Sequence, residues 1–279
     1  MNPKEMFLKQ WLFLYSLAVE AAVGVYLAIF LIVYNKLNLQ ISAVLLQKYY
    51  ASFLVLAGIV TLIMAPLYIF YLLIKNQSGL PLWYTGLKKN ALYLFVSVVL
   101  LYLLYLLHTQ GIHLRIVELI LAFGFMYIAY TFQNTLLLHG YPAWQNITTS
   151  FNVLIGIGKT MIITWVIVYH VYDLQGWISA FLIFELFVLF WRLKLLNRQR
   201  AETKQSVRYL LVNHSLLFGS RLIIGLFIPL VFDLYQCFIP NGRATAIEML
   251  FILFGELLER YLFTFSAIPE YYEYREREE

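Results

Sequence analysis

Apolar runs of about twenty residues recur along this chain from one end to the other, and no other feature restricts its fold as much. A hydrocarbon core of about 30 Å is crossed by about 20 helical residues rising about 1.5 Å each. Inside lipid every backbone N–H and C=O must find a partner within the protein, so only helices and closed barrels span. A barrel would show segments of about ten residues with alternating polarity. The runs here are about twice that length and apolar on every face. Composition agrees, with 62% hydrophobic and 13% charged residues, against about 45–50% and 25% in soluble domains. The expected fold is therefore all-α: a polytopic integral membrane protein, an eight-helix transmembrane bundle forming a single transmembrane domain over residues 1–279.

Spans are expected at about 11–34, 46–74, 88–107, 114–138, 150–170, 176–196, 210–235 and 245–265. Pro66 removes an amide donor near the end of the second and favours a kink there. The first run follows a positively flanked MNPKEMFLKQ but is too long for a signal peptide and lacks a small-residue cleavage site, so a retained helix is expected.

Eight spans put both termini on one side. That side gathers Lys4, Lys9, Lys75, Lys88, Lys89, Lys194, Arg198, Arg200, Lys204, Arg208, Arg275 and Arg277, against Lys36, Lys48, Arg115 and Arg243 on the other. The excess of Lys and Arg in cytoplasmic loops then predicts cytoplasmic termini. Six of the 20 basic residues fall between Arg192 and Arg208, read as a loop, so the formal charge of +5 is an orientation signal and not a nucleic-acid footprint. The single cysteine, Cys237, excludes a disulfide framework or a Cys-ligated iron–sulfur cluster within the chain.

Charges inside the runs stand out, because intramembrane ionisable groups are costly and tend to face a pathway, a ligand or one another. The stretch LFGELLERYLF (253–263) holds Glu256, Glu259 and Arg260. Glu20 lies about ten residues into its span, Lys159 about ten into the fifth and Arg221 about twelve into the seventh. Glu185 sits at mid-depth, while Asp233 and Glu248 lie near the opposite face. One reading is structural, with Arg260 paired to Glu20 or Glu256. The other is a pocket. A quinone needs an apolar slot with polar groups at its carbonyls, and Glu20, Glu256 and Glu259 suit proton relay there. Lys159, Arg221 or Arg260 would hold a neighbouring acid deprotonated or bind a carbonyl, with Tyr68 and Tyr130 as further contacts. The five histidines (His108, His113, His139, His170 and His214) all lie close to span ends, so a transmembrane haem is not expected, although His139 and His214 share a side. No metal-binding set is expected.

HGYPAWQNITTSFNVL (139–154) places Pro142 and Trp144 in a polar turn leading straight into the fifth span. Together with GELLERYLF it resembles the membrane anchor subunits of the dimethyl sulfoxide reductase family, within a broader group of quinone-interacting membrane subunits. The residues carrying the resemblance are Tyr130, Pro142, Trp144, Thr148 and Thr149, then Gly255, Glu256, Arg260, Tyr261 and Phe263, with Gly58 and Ile59 also similar. It implies a quinone-reactive or non-catalytic subunit that binds menaquinone or another quinone and carries no covalent cofactor. Its implied partners are an iron–sulfur electron-transfer subunit and a molybdopterin-type catalytic subunit, which hold the iron–sulfur clusters and the molybdenum cofactor. The implied location is the cytoplasmic (inner) membrane of a bacterium or archaeon, and the implied chemistry is exchange of two electrons and two protons. Trp144 and the loops 75–88, 139–149 and 197–208 would dock the partners.

The chain departs from that family in two ways. A histidine common at the end of its second span is missing from APLYIFYLL (65–73), where Leu67 or Tyr68 stands. The family's partner also docks on the outer face, which the charge bias here assigns to the cytoplasm. Two other classes fit membrane charges: a secondary transporter or ion channel, disfavoured by the lack of internal repeats, and a structural scaffold without quinone chemistry.

Overall fold

The computed structural model describes residues 3–35, 82–110, 115–139, 143–167, 175–198, 201–238 and 242–265. They form α1 (Pro3–Asn35), α2 (Leu82–Thr109), α3 (Arg115–His139), α4 (Ile147–Ile167) and α5 (Gln175–Arg198). There follow α6 (Ala201–Arg208), α7 (Ser215–Leu222), α8 (Ile228–Phe238) and α9 (Gly242–Phe265), with π-helical turns at Tyr209–Asn213 and Ile223–Phe227. The chain is a helical, multi-span membrane protein.

The expectation of eight membrane-spanning helices is corrected. Among the described residues four helices are long and apolar enough to cross: Lys9–Leu31, Ile116–Leu137, Ile147–Ile167 and Ser215–Gln236. The apolar part of α2 is only Leu92–Leu104, shortened by Lys88 and Lys89 at its start. In α5 Glu185, Arg192, Lys194 and Arg198 interrupt the apolar run, and in α9 Arg243, Glu248, Glu256, Glu259 and Arg260 do so. The second expected run, 46–74, with Gly58, Ile59, Pro66 and Tyr68, lies outside the described residues.

Local chemistry sets the entry to α4. Asn146 caps the helix: its Oδ1 accepts from the Thr148 amide at 3.0 Å, and its carbonyl accepts from the Thr149 amide at 3.0 Å. The Thr149 hydroxyl donates back to the Trp144 carbonyl at 2.7 Å, which fixes the turn. Elsewhere, where helices are apolar around their whole circumference, buried amides and hydroxyls join them. Asn90 of α2 donates to the Ile128 carbonyl of α3 at 2.7 Å and accepts from the Tyr15 hydroxyl of α1.

α2 and α3 pack as a neighbouring pair, α1 lies against α3, α4 and α9, and α9 also contacts α4, α7 and α8. Two apolar clusters result. One joins α1, α2 and α3 to Trp144, Val153, Ile157, Leu196 and Phe263. The other joins Ile162, Val166, Ile178, Leu182, Leu226, Met249 and Ile252. On α5 and α9 the second cluster lies toward the N-terminus and the first toward the C-terminus; on α4 the order is reversed. α4 therefore runs against α5 and α9. Between the clusters lie Lys159 of α4, Glu185 and Arg192 of α5, and Glu256, Glu259 and Arg260 of α9.

Phe13 of α1 meets Tyr261 of α9 edge to face, at 6.1 Å between ring centroids. α1 therefore begins, and α9 ends, on the same side of the bundle.

A buried ladder of charges as candidate functional site

Helical spacing decides which charges share a face. Glu185 and Arg192 on α5 are seven residues apart, two turns along one stripe, as are Asn152 and Lys159 on α4. Glu256, Glu259 and Arg260 on α9 sit at i, i+3 and i+4. Glu20 comes from α1 and Arg221 from α7. All eight charged side chains are buried, at 6% exposure or less.

Together they form one ladder of alternating sign. At one end Glu20 Oε2 lies 2.8 Å from Arg260 Nε, which donates to Glu256 Oε1 at 2.8 Å. Lys159 Nζ donates to Glu256 Oε2 at 2.9 Å and pairs with Glu185 Oε2 at 2.5 Å. Arg221 Nη2 donates to Glu185 Oε1 at 2.6 Å, and its Nε lies 2.7 Å from Glu259 Oε2. Arg192 Nη1 ends the ladder 3.6 Å from Glu259 Oε1. Four acids (Glu20, Glu185, Glu256, Glu259) thus face four bases (Lys159, Arg192, Arg221, Arg260), and the set is formally neutral. Neutrality is what makes the cluster tolerable, because an unpaired buried charge costs several kcal/mol.

Small residues make the ladder's room. A Cβ on Gly156 would lie 2.6 Å from both Glu20 Oε2 and Arg260 Nη2. A larger residue there would have to displace the ends of the paired side chains. The π-turn Ile223–Phe227 begins two residues after Arg221, and its Gly225 meets Gly255 of α9 so closely that a Cβ would fall 2.5 Å from the Gly255 Cα. The extra residue of the π-turn brings α7 and α8 onto α9 just beside Glu256.

Hydrogen-bonding capacity is left over. Glu20 Oε1, Arg192 Nε and Arg221 Nη1 are buried without a hydrogen-bond partner. Buried polar atoms of that kind mark places for water or a polar ligand.

The two motif segments read from the sequence meet here. Trp144 stacks on Phe263 at 5.7 Å and donates its indole N–H to the Phe263 carbonyl at 3.0 Å. Phe263 in turn lies under the Arg192 guanidinium, 4.5 Å from its ring centre. Trp144 is fully buried, so the expectation that it docks a partner is corrected: it clamps the start of α4 onto the end of α9.

Of the expected site residues, Glu20, Glu256, Glu259, Lys159, Arg221 and Arg260 all belong to the ladder. Tyr130 lies 57% exposed on α3 beside Tyr127 and makes none of its contacts. Tyr68, the second-span stretch 65–73, Tyr141 and Pro142 lie outside the described residues, as do His113 and His170. His214 is partly buried between Tyr209 and Tyr261. Among the described residues no group of three or more His, Cys, Asp or Glu is placed to hold a metal ion.

Sequence reading missed Arg192 and Asn152. Arg192 was counted with the basic loop, but it turns inward from α5. The seven-residue interval from Glu185 is the signal that could have found it. Asn152 ties the ladder to the α4 backbone, since Arg260 Nη2 donates to its carbonyl at 2.5 Å and its Nδ2 donates to Glu259 Oε1 at 3.3 Å. No protein-family model, no curated protein and no solved structure matches this chain.

Proposed function

We propose that the chain is the quinone-interacting membrane subunit of an oxidoreductase complex, working beside an iron–sulfur subunit and a molybdopterin-type catalytic subunit in a bacterial or archaeal cytoplasmic membrane. Both termini then face the cytoplasm, the side favoured by the basic residues of the N-terminal segment and of the stretch 192–208. The observation that carries this reading is the buried, neutral ladder with unpartnered donors and acceptors, joined through Phe263 to the Trp144 turn. These are the two segments on which the resemblance to reductase anchor subunits rests.

Two features support such a ligand. Apolar clusters flank the ladder, and Arg192 Nε and Arg221 Nη1 are buried donors with no hydrogen-bond partner. A quinone, when bound, supplies two-electron, two-proton chemistry. In this reading Glu20, Glu256 and Glu259 hold and move protons along the ladder. Lys159, Arg221 and Arg260, with Arg192, balance the four acids, so that taking one proton from the ladder leaves one uncompensated charge.

Glu256→Gln is expected to slow quinone turnover while leaving the complex assembled, because the amide keeps the shape and loses the proton-carrying group. The measurement is quinone-dependent turnover of the purified complex, alongside its subunit and metal content. Unchanged turnover in an intact complex would remove Glu256 from the mechanism. A preparation without an iron–sulfur partner or quinone-dependent turnover would sink the proposal itself.

The completeness of the pairing favours a second reading, a scaffold in which the ladder only joins five helices. In that case Glu256→Gln lowers thermal stability and changes no redox rate.

A further inference from the structure

A second set of buried carboxyls lies where α8 ends and α9 begins, away from the ladder. Asp233 and Gln236 sit one turn apart on α8, and Thr245 and Glu248 one turn apart on α9. All four are buried, at 1% exposure or less. Gln236 Nε2 donates to Glu248 Oε2 at 2.8 Å, the Thr245 hydroxyl donates to Gln236 Oε1, and the Ser179 hydroxyl of α5 donates to Asp233 Oδ2. Gln236 thus bridges the two helices, and the two acids stand close enough to act on each other by charge. One oxygen of each is left over: Asp233 Oδ1 and Glu248 Oε1 are buried without a hydrogen-bond partner. Among the described residues neither acid pairs with a Lys or Arg.

We infer that Asp233 and Glu248 are a proton-binding carboxyl pair, holding one proton between them and exchanging it with the face of the bundle opposite the start of α1. Two ionised carboxylates that share a buried site without a cation repel each other, and retaining one proton relieves them. The ladder supplies no relief. Its Glu20, Lys159, Glu185, Arg221 and Glu256 are spent on one another, and Glu256 lies eight residues further along α9, roughly 12 Å at about 1.5 Å per residue. Leu182, Met249 and Ile252 of the second apolar cluster lie between. From α5 the group that meets the pair is Ser179, and the π-turn Ile223–Phe227 carries no titratable side chain. Arg243 stands five residues before Glu248. A metal cation takes six or more oxygens, whereas two are spare here, and Gln236 turns an N–H toward Glu248. A proton needs only one of them. The inference stands apart from the quinone reading.

The test follows the carboxylic C=O infrared band of the full-length chain in lipid nanodiscs as pH is raised from about 5 to about 9 in choline chloride. The native band is expected to lose one carboxyl's intensity in a single step within that range. Asp233→Asn with Glu248→Gln keeps both shapes and is expected to abolish that step. Asp233→Asn alone removes the repelling neighbour and is expected to move the step down by roughly one pH unit, a tenfold loss of proton affinity. The single variant carries the test if the double one does not assemble. A native chain without the step, a step that the double variant keeps, or one that Asp233→Asn does not move would overturn the pair. So would a step that sodium chloride abolishes, because a cation then takes the proton's place. Arg243→Gln is expected to leave the step unmoved; an upward shift would show that this arginine compensates the acids and would overturn the inference.

Discussion

Each ladder residue is held by neighbours of opposite sign, and Lys159 shows what that dependence means. Its Nζ lies between Glu256 at 2.9 Å and Glu185 at 2.5 Å. Lys159→Met keeps the stem and removes the charge, leaving two acids facing each other in a water-poor interior. Breaking a buried pair in this way costs about 3–5 kcal/mol. Lys159→Met with Glu185→Gln restores neutrality, and the double variant is expected to be more stable than the single one. Chemical denaturation in detergent checks the order; a double variant less stable than the single would show that neutrality is not what the ladder needs. The ladder's charges were legible in the sequence because each interrupts an apolar run. Arg192 was not, because it borders a basic segment and one-dimensional counting assigns it there.

At the scale of elements, close helix crossings are made by glycine, and two of them differ in what a new side chain would strike. At Gly156 the obstacles are the ends of the Glu20 and Arg260 side chains. At Gly255 the obstacle is the backbone of Gly225 in the π-turn. Side-chain ends give way and backbone does not. Gly156→Ala is therefore expected to cost about 1–3 kcal/mol, in the range of ordinary overpacking. Gly255→Val is expected to cost more and to separate α9 from α7 and α8. Thermal unfolding in nanodiscs gives the comparison, and equal losses at the two positions would contradict this account of the crossings. Helix existence was readable from run length and polarity. The π-turns were not: the one at Ile223–Phe227 sets Gly225 against Gly255, a contact no local pattern announces.

At the scale of the molecule, the bundle separates into an apolar cluster, a charged layer and a second apolar cluster, with α1 starting and α9 ending on one side. Topology can be checked with Cys237 replaced by alanine and single cysteines introduced at the exposed positions Met6, Lys204 and Phe238. A membrane-impermeant thiol reagent is expected to reach Met6→Cys and Lys204→Cys from the same side and Phe238→Cys from the other. Labelling of Met6→Cys and Lys204→Cys from opposite sides would overturn the shared face. Among the described residues the count of eight apolar crossing helices did not survive, since charges interrupt α5 and α9, and five of those charges belong to the interior ladder. By itself the sequence determined that the chain is helical, that it lives in a membrane, and that carboxylates and cations lie at comparable depth. It did not determine their pairing. Helices such as α1 and α2 are apolar around their whole circumference, so the pattern names no inward face and fixes no rotation. Only packing against neighbours sets rotation and depth. That packing joined Glu20 to Arg260, turned Arg192 inward, and closed eight charges from five helices into one neutral chain.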